Sequence, residues 1–168
     1  MSVRLAISPL LCLGALAAAA SVRPAAHNDA LPTGAYVLSR AASARPPIPF
    51  QFQLAGSVVA GTVDSARITL AADSSYTDKV TVRWTKAPSL PFPLPGFSAG
   101  PDPHTLTGSG RFTVQGGTVV LEPDDFVTRG FVRSVQARTD STGLTLTGLT
   151  GGFAGAHVAI NAVFTRVR

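Results

Sequence analysis

Residues 76–85 read Tyr-Thr-Asp-Lys-Val-Thr-Val-Arg-Trp-Thr. Tyr76, Val80, Val82 and Trp84 fall on one parity, and Thr77, Lys79, Thr81, Arg83 and Thr85 on the other. In an extended chain successive side chains point to opposite faces, so this order gives one apolar and one polar face. A helix would scatter the same residues around its axis. The pattern returns at 111–121, where Phe112 and Val114 alternate with Arg111, Thr113 and Gln115. Gly116-Gly117 then supplies the positive-φ pair that a two-residue hairpin demands, and Val119 and Leu121 resume the apolar face.

Further outward the same punctuation repeats. Thr33-Gly34 opens a strand with Tyr36 and Leu38 on one face, and Phe50, Phe52 and Leu54 alternate with Gln51 and Gln53. Val58–Ala60 reads as a short piece ending before Gly61, and Ala66, Ile68 and Leu70 as the next strand, closed by a turn at Ala72-Asp73-Ser74. Phe131 and Val135 share a face, Ser141-Thr142-Gly143 turns into Leu144 and Leu146, and Gly151-Gly152 precedes a last strand bearing Val158, Ile160, Ala162 and Phe164. No window places apolar residues at helical spacing with capping signals. About eight to ten short strands with hairpin-length links, each apolar on one side, predict an all-β fold. We expect a single antiparallel meander barrel, because closure removes the exposed edges that an open sheet leaves. A β-sandwich is the alternative.

Composition agrees with one domain. The chain has 168 residues, 45% hydrophobic and 14% charged, with Gly 16 and Pro 13. That excludes a coiled coil, a disulfide scaffold and a multidomain enzyme. The net charge is +5, with Lys79 and Lys86 the only lysines among the bases. The bases are singlets along the chain, which argues against a nucleic-acid partner.

The first residues have the three parts of an export signal: a basic start at Arg4, an apolar run from Leu5 to Ala20, and a small-residue exit at Ala17–Ala20. We expect residues 1–20 to be cleaved, 21–31 to be a tether, and 32–168 to form the barrel. The apolar run is too short for a membrane anchor. Cys12, the only cysteine, lies inside it and follows Leu11 rather than the small residue of a lipidation box. The expected location is secreted or periplasmic, with no integral membrane span after cleavage. Without Cys12 the mature chain has no thiol chemistry.

Residues 87–104 carry six prolines among Leu90, Phe92, Leu94 and Phe97. Such a stretch excludes helix and central strand. Three readings stay open: a loop folded on the barrel rim, a lid formed by those four apolar residues, and a docking strip for another protein.

A resemblance then emerges. The succession Gly34-x-Tyr36-x-Leu38, Pro49-Phe50-x-Phe52, Arg67-x-x-Leu70-x-x-Asp73-x-x-Tyr76-Thr77, Gly110-x-Phe112-x-Val114-x-Gly116-Gly117-x-Val119-x-Leu121-x-Pro123-x-Asp125, Leu144-x-Leu146-Thr147-Gly148 and Phe164-x-Arg166 resembles the exported bacterial lipocalin-like domains. It covers nearly all of 33–168 and lies in strand pattern and turns. It implies a small calyx-shaped barrel able to hold an apolar ligand. Lipocalins commonly carry Gly-x-Trp near the first strand; here Tyr36 stands in that place.

The chemistry-bearing residues form no catalytic set. His27, His104 and His157 share no metal-binding spacing, and no nucleophile elbow or phosphate loop occurs. We therefore expect no enzyme, no metal and no cofactor. Glu122-Pro123-Asp124-Asp125 reads as a solvated turn. Two charges share apolar parities: Asp78 with Tyr76, Val80, Val82 and Trp84, and Arg133 with Phe131, Val135 and Ala137. Each either returns to solvent at a strand end or bulge, or orients a ligand headgroup at a cavity mouth, or pairs with the other.

The expected function is a non-catalytic monomer binding a small apolar or amphipathic ligand. Its cavity would be lined by Tyr36, Phe52, Tyr76, Asp78, Val80, Val82, Trp84, Phe112, Phe131, Arg133 and Phe164. The alternative is a cell-envelope interaction or structural protein with a filled barrel and a working outer surface, in the manner of small inhibitor barrels.

Overall fold

Residues 75–86 are one strand, and burial along it alternates as the residue types do, down to the last inward residue, Trp84. The computed structural model describes residues 32–54, 57–87, 102–124, 132–151 and 157–167. They form nine strands: β1 (Gly34–Ala41), β2 (Ile48–Leu54), β3 (Ser57–Leu70), β4 (Ser75–Lys86), β5 (His104–Gln115), β6 (Thr118–Pro123), β7 (Val132–Thr139), β8 (Gly143–Gly151) and β9 (His157–Arg166). No helix occurs among the described residues.

All pairings are antiparallel, and neighbours in sequence are neighbours in the sheet from β2 through β9. β1 closes the ring. Its residues 34–37 pair with 67–70 of β3, while 36–41 pair with β9. The result is a closed eight-strand barrel with β2 as one extra strand, laid along the first half of β3. A sandwich is thereby excluded.

Two expectations about segment boundaries need correction. Val58–Ala60 and Ala66–Leu70 belong to one strand, β3, which runs through Gly61. The register slips between Val63 and Ser65, where Asp64 is the extra residue. A bulge of this kind puts two residues between inward-facing neighbours, so Val63 and Ala66 are both buried despite opposite parity. The change of phase is what made one strand read as two. The second correction concerns the acidic turn: Glu122 and Pro123 end β6, with Pro123 buried, and the Asp124 N–H donates to the Ser109 carbonyl at 3.0 Å.

The two ends of the barrel differ. One carries tight turns: 71–74 between β3 and β4, Gly116-Gly117 between β5 and β6, and 140–142 between β7 and β8. Gly116 and Gly117 have φ of 57° and 74°, as a two-residue hairpin of this hand requires. Asp73 accepts from Ser75 N–H at 3.0 Å and its hydroxyl at 2.6 Å, and Asp140 does the same for Thr142. The other end carries the links 87–103, 124–131 and 152–156.

The wall is apolar inside and polar outside. Leu38, Ile68, Val80, Leu121, Val135, Leu146 and Phe164 are buried in one core, whereas Arg67, Lys79, Thr107, Arg111, Gln136 and Arg138 face out. This polarity is the reverse of a membrane-spanning barrel, whose outer band is apolar. No helix among the described residues is long and apolar enough to cross a membrane.

Candidate functional site: the barrel interior around Asp78

The inward row of β4 runs Tyr76, Asp78, Val80, Val82, Trp84. Across β3 these residues oppose Leu70, Ile68, Ala66, Val63 and Gly61, and across β5 Tyr76, Asp78 and Val80 oppose Gly110, Gly108 and Leu106. The β5 side of Tyr76 and Asp78 is therefore glycine. At Gly110 the reason is steric. A Cβ there would lie 2.6 Å from Tyr76 Cε1 and would also strike the Glu122 carbonyl. Tyr76 thus lies over backbone that no other residue type could leave bare.

Asp78 is the one charged side chain buried among the described residues, at 3% exposure. It is the fourth residue of β4, counted from the tight-turn end, in an unbroken stretch of register. That corrects one expectation: Asp78 does not return to solvent at a strand end or bulge. An enclosed carboxylate is costly unless its surroundings compensate it. Its place in this row is the most unusual chemical feature of the interior.

Aromatic residues occupy the rest. Trp84 is 1% exposed and meets Phe50 edge to face, with ring centroids 5.5 Å apart and planes at 90°. Gly61 makes room there, since a Cβ would lie 3.1 Å from Phe50 Cζ. Phe50 was absent from the expected lining, although it shares parity with Phe52; the Pro49-Phe50-x-Phe52 spacing held the signal. At the tight-turn end the Tyr36 hydroxyl donates to the Pro32 carbonyl at 2.7 Å, and the Arg166 guanidinium donates to the Thr33 carbonyl at 2.6 Å. Burial raises the Tyr36 phenol above its usual value of 10.0, and the nearby Arg166 charge opposes this.

Of the expected lining, Tyr36, Tyr76, Asp78, Val80, Val82, Trp84, Phe112 and Phe164 are brought together in one interior. Their exposure is 0–3%, so their side chains are closed off from bulk water. Phe52 and Arg133 lie on the backbones of β2 and β7, but their side chains are outside the described set. Phe131 and the lid residues Leu90, Phe92, Leu94 and Phe97 also lie outside the described residues, as does the proposed leader. His104 is the first residue of β5, opposite Val82. Among the described residues no group of three or more His, Cys, Asp or Glu side chains is placed to hold a metal.

Comparisons with protein-family profiles, with curated proteins and with solved structures found no match. The barrel is compatible with a lipocalin-like fold on its geometry alone.

Proposed function

We propose that this chain is an exported, non-catalytic, lipocalin-like barrel whose interior is filled by its own side chains and whose work is done by its outer surface. The observation that carries the reading is the 0–3% exposure of eight residues expected to line a cavity. An eight-strand barrel is just wide enough either to fill with side chains or to hold one small ligand. A ligand chamber would leave part of its lining open to small molecules, so the near-complete burial of these residues supports the filled reading. The inward aromatics Tyr36, Tyr76, Trp84, Phe112 and Phe164 supply the volume to do so. The leader-like run from Leu5 to Ala20 supports export.

Asp78 favours a second reading, in which a small amphipathic ligand enters the barrel and its polar head meets the carboxylate. Native mass spectrometry of the protein purified from its own host separates the two. A filled barrel gives the mass of the polypeptide alone. A stoichiometric small-molecule adduct, lost on Asp78→Asn with the fold retained, would overturn the first reading and establish the second.

A further inference from the structure

On the outer wall, the β1–β3–β4–β5 register aligns Val37, Arg67, Lys79 and Thr107 in one row. Arg67 and Lys79 are direct cross-strand partners, and both are exposed. Like charges so placed destabilise a sheet. The neighbouring wall cations are compensated: Arg83 is paired with Asp64 at 2.9 Å, and Arg111 stands opposite Glu122 with Asp73 near by. The Arg67–Lys79 row has no carboxylate. The rows on either side present hydroxyls, Thr69 opposite Thr77 and Ser65 opposite Thr81.

The same row carries apolar surface. Val37 and Val167, 38% and 46% exposed, are the exposed large hydrophobic residues among those described. They are neighbours on the outside of the β1–β9 pair. Val37 opposes Thr165, and the Val167 N–H donates to the Ala35 carbonyl at 2.8 Å, one step along the same face. Two cations with no ion-pair partner among the described residues, flanking hydroxyls and two exposed valines therefore form one continuous patch.

We propose that this patch docks the barrel on an anionic lipid surface. Arg67 and Lys79 take headgroup phosphates, Thr77 and Thr81 supply further donors, and Val37 and Val167 rest against the acyl boundary. A free phosphate ion has no use for the valines, whereas an interfacial site does. The proposal rests on the outer-surface reading above and names its partner.

The test is co-sedimentation of the protein, recovered from its host, with vesicles of phosphatidylcholine alone or of equal parts phosphatidylcholine and phosphatidylglycerol. We expect binding to the mixed vesicles only, weakening as salt is raised. Each cation contributes about fivefold to partitioning onto an anionic surface, so the Arg67→Gln/Lys79→Gln double variant should bind about 25-fold more weakly. Val37→Ser should weaken binding without changing its salt dependence. Lys79→Glu gives a sharper contrast: facing Arg67 it forms an attractive pair, so it should raise the melting temperature while abolishing binding. Equal binding to both vesicle types, unchanged binding by the double variant, or full displacement by inorganic phosphate at the concentration of lipid phosphate would overturn the proposal. None of these outcomes bears on whether the barrel is filled, which the host-purified mass decides.

Discussion

At the scale of single residues, the interior is set by what each strand leaves out as much as by what it brings in. Gly110 is bare so that Tyr76 can lie across β5, and Gly61 is bare so that Phe50 can approach Trp84. A Gly110→Ala substitution forces the Tyr76 ring or the β6 backbone to move. Overpacking of this kind costs about 1–3 kcal/mol, which urea denaturation measures as a lower midpoint at unchanged slope. The aromatic content of the core was legible in the sequence, because Trp84, Phe112 and Phe164 keep the parity of their strands. Gly61 opposite Trp84 and Gly110 opposite Tyr76 were not. Which β5 residue faces Tyr76 depends on register, and no residue within β4 encodes that. Asp78 shows the same limit: parity put it inside, but only the register shows how far it stands from either strand end.

Asp140 belongs to the residue scale too, through its charge. The Thr142 hydroxyl, at 2.6 Å, is the main cause that holds its carboxyl below the ordinary 3.8; burial opposes this, and the N–H groups of Thr142 and Gly143 add to it. The charged form is the hydrogen-bonded form. Its contribution to stability is therefore present above the unfolded value and lost as pH falls through the lower folded value. Asp140→Asn keeps an acceptor for the turn but no charge. The stability difference between wild type and this variant should shrink as pH is lowered from about 5 to about 2. A difference that stays constant over that interval would show that the turn does not draw on the charge.

Among the elements, β3 decides closure. Its first half pairs with β2 and its second with β1, and the slip at Asp64–Ser65 keeps both halves facing inward. Asp64 is held there by the Thr62 hydroxyl at 2.9 Å and by Arg83 at 2.9 Å. Deleting Ser65 would leave one residue between Val63 and Ala66, which restores strict alternation with Ala66, Ile68 and Leu70 still on the inward face but removes the bend that the bulge gives β3. We expect the deletion variant to keep cooperative unfolding and the near-ultraviolet circular dichroism of Trp84, and to lose stability only through the straightened path of β3 between β2 and β1, read as a lower urea midpoint. A Ser65→Ala substitution, which keeps the residue count, should change stability by less than about 0.5 kcal/mol. Bulges are hard to read in a sequence for the reason that makes them useful here: they break the periodicity by which strands are recognised. Hairpins were easier, since Gly116-Gly117 names its own turn.

At the scale of the molecule, the nine strands of the described residues make one antiparallel meander closed by β1, with tight turns at one end and longer links at the other. Alternation was enough to foresee an all-β barrel, because an apolar face on every strand has to close around something. It could not say whether that something is a ligand or the protein's own side chains, since both linings have the same composition. The Arg67–Lys79 row was equally hidden: the two residues are singlets in sequence and become neighbours only through the β3–β4 register.

Trp84 offers the most direct test of the filled interior. It is the only tryptophan, it is 1% exposed, and it stands in the inward row of β4 with Val80 and Val82. A brominated fatty acid quenches tryptophan emission on contact. If the barrel is filled, titrating the protein with this probe leaves the Trp84 emission intensity unchanged apart from a weak, non-saturating collisional loss. Saturable quenching at one probe per chain, reversed by an unbrominated fatty acid, would show a chamber beside Trp84 and contradict the account.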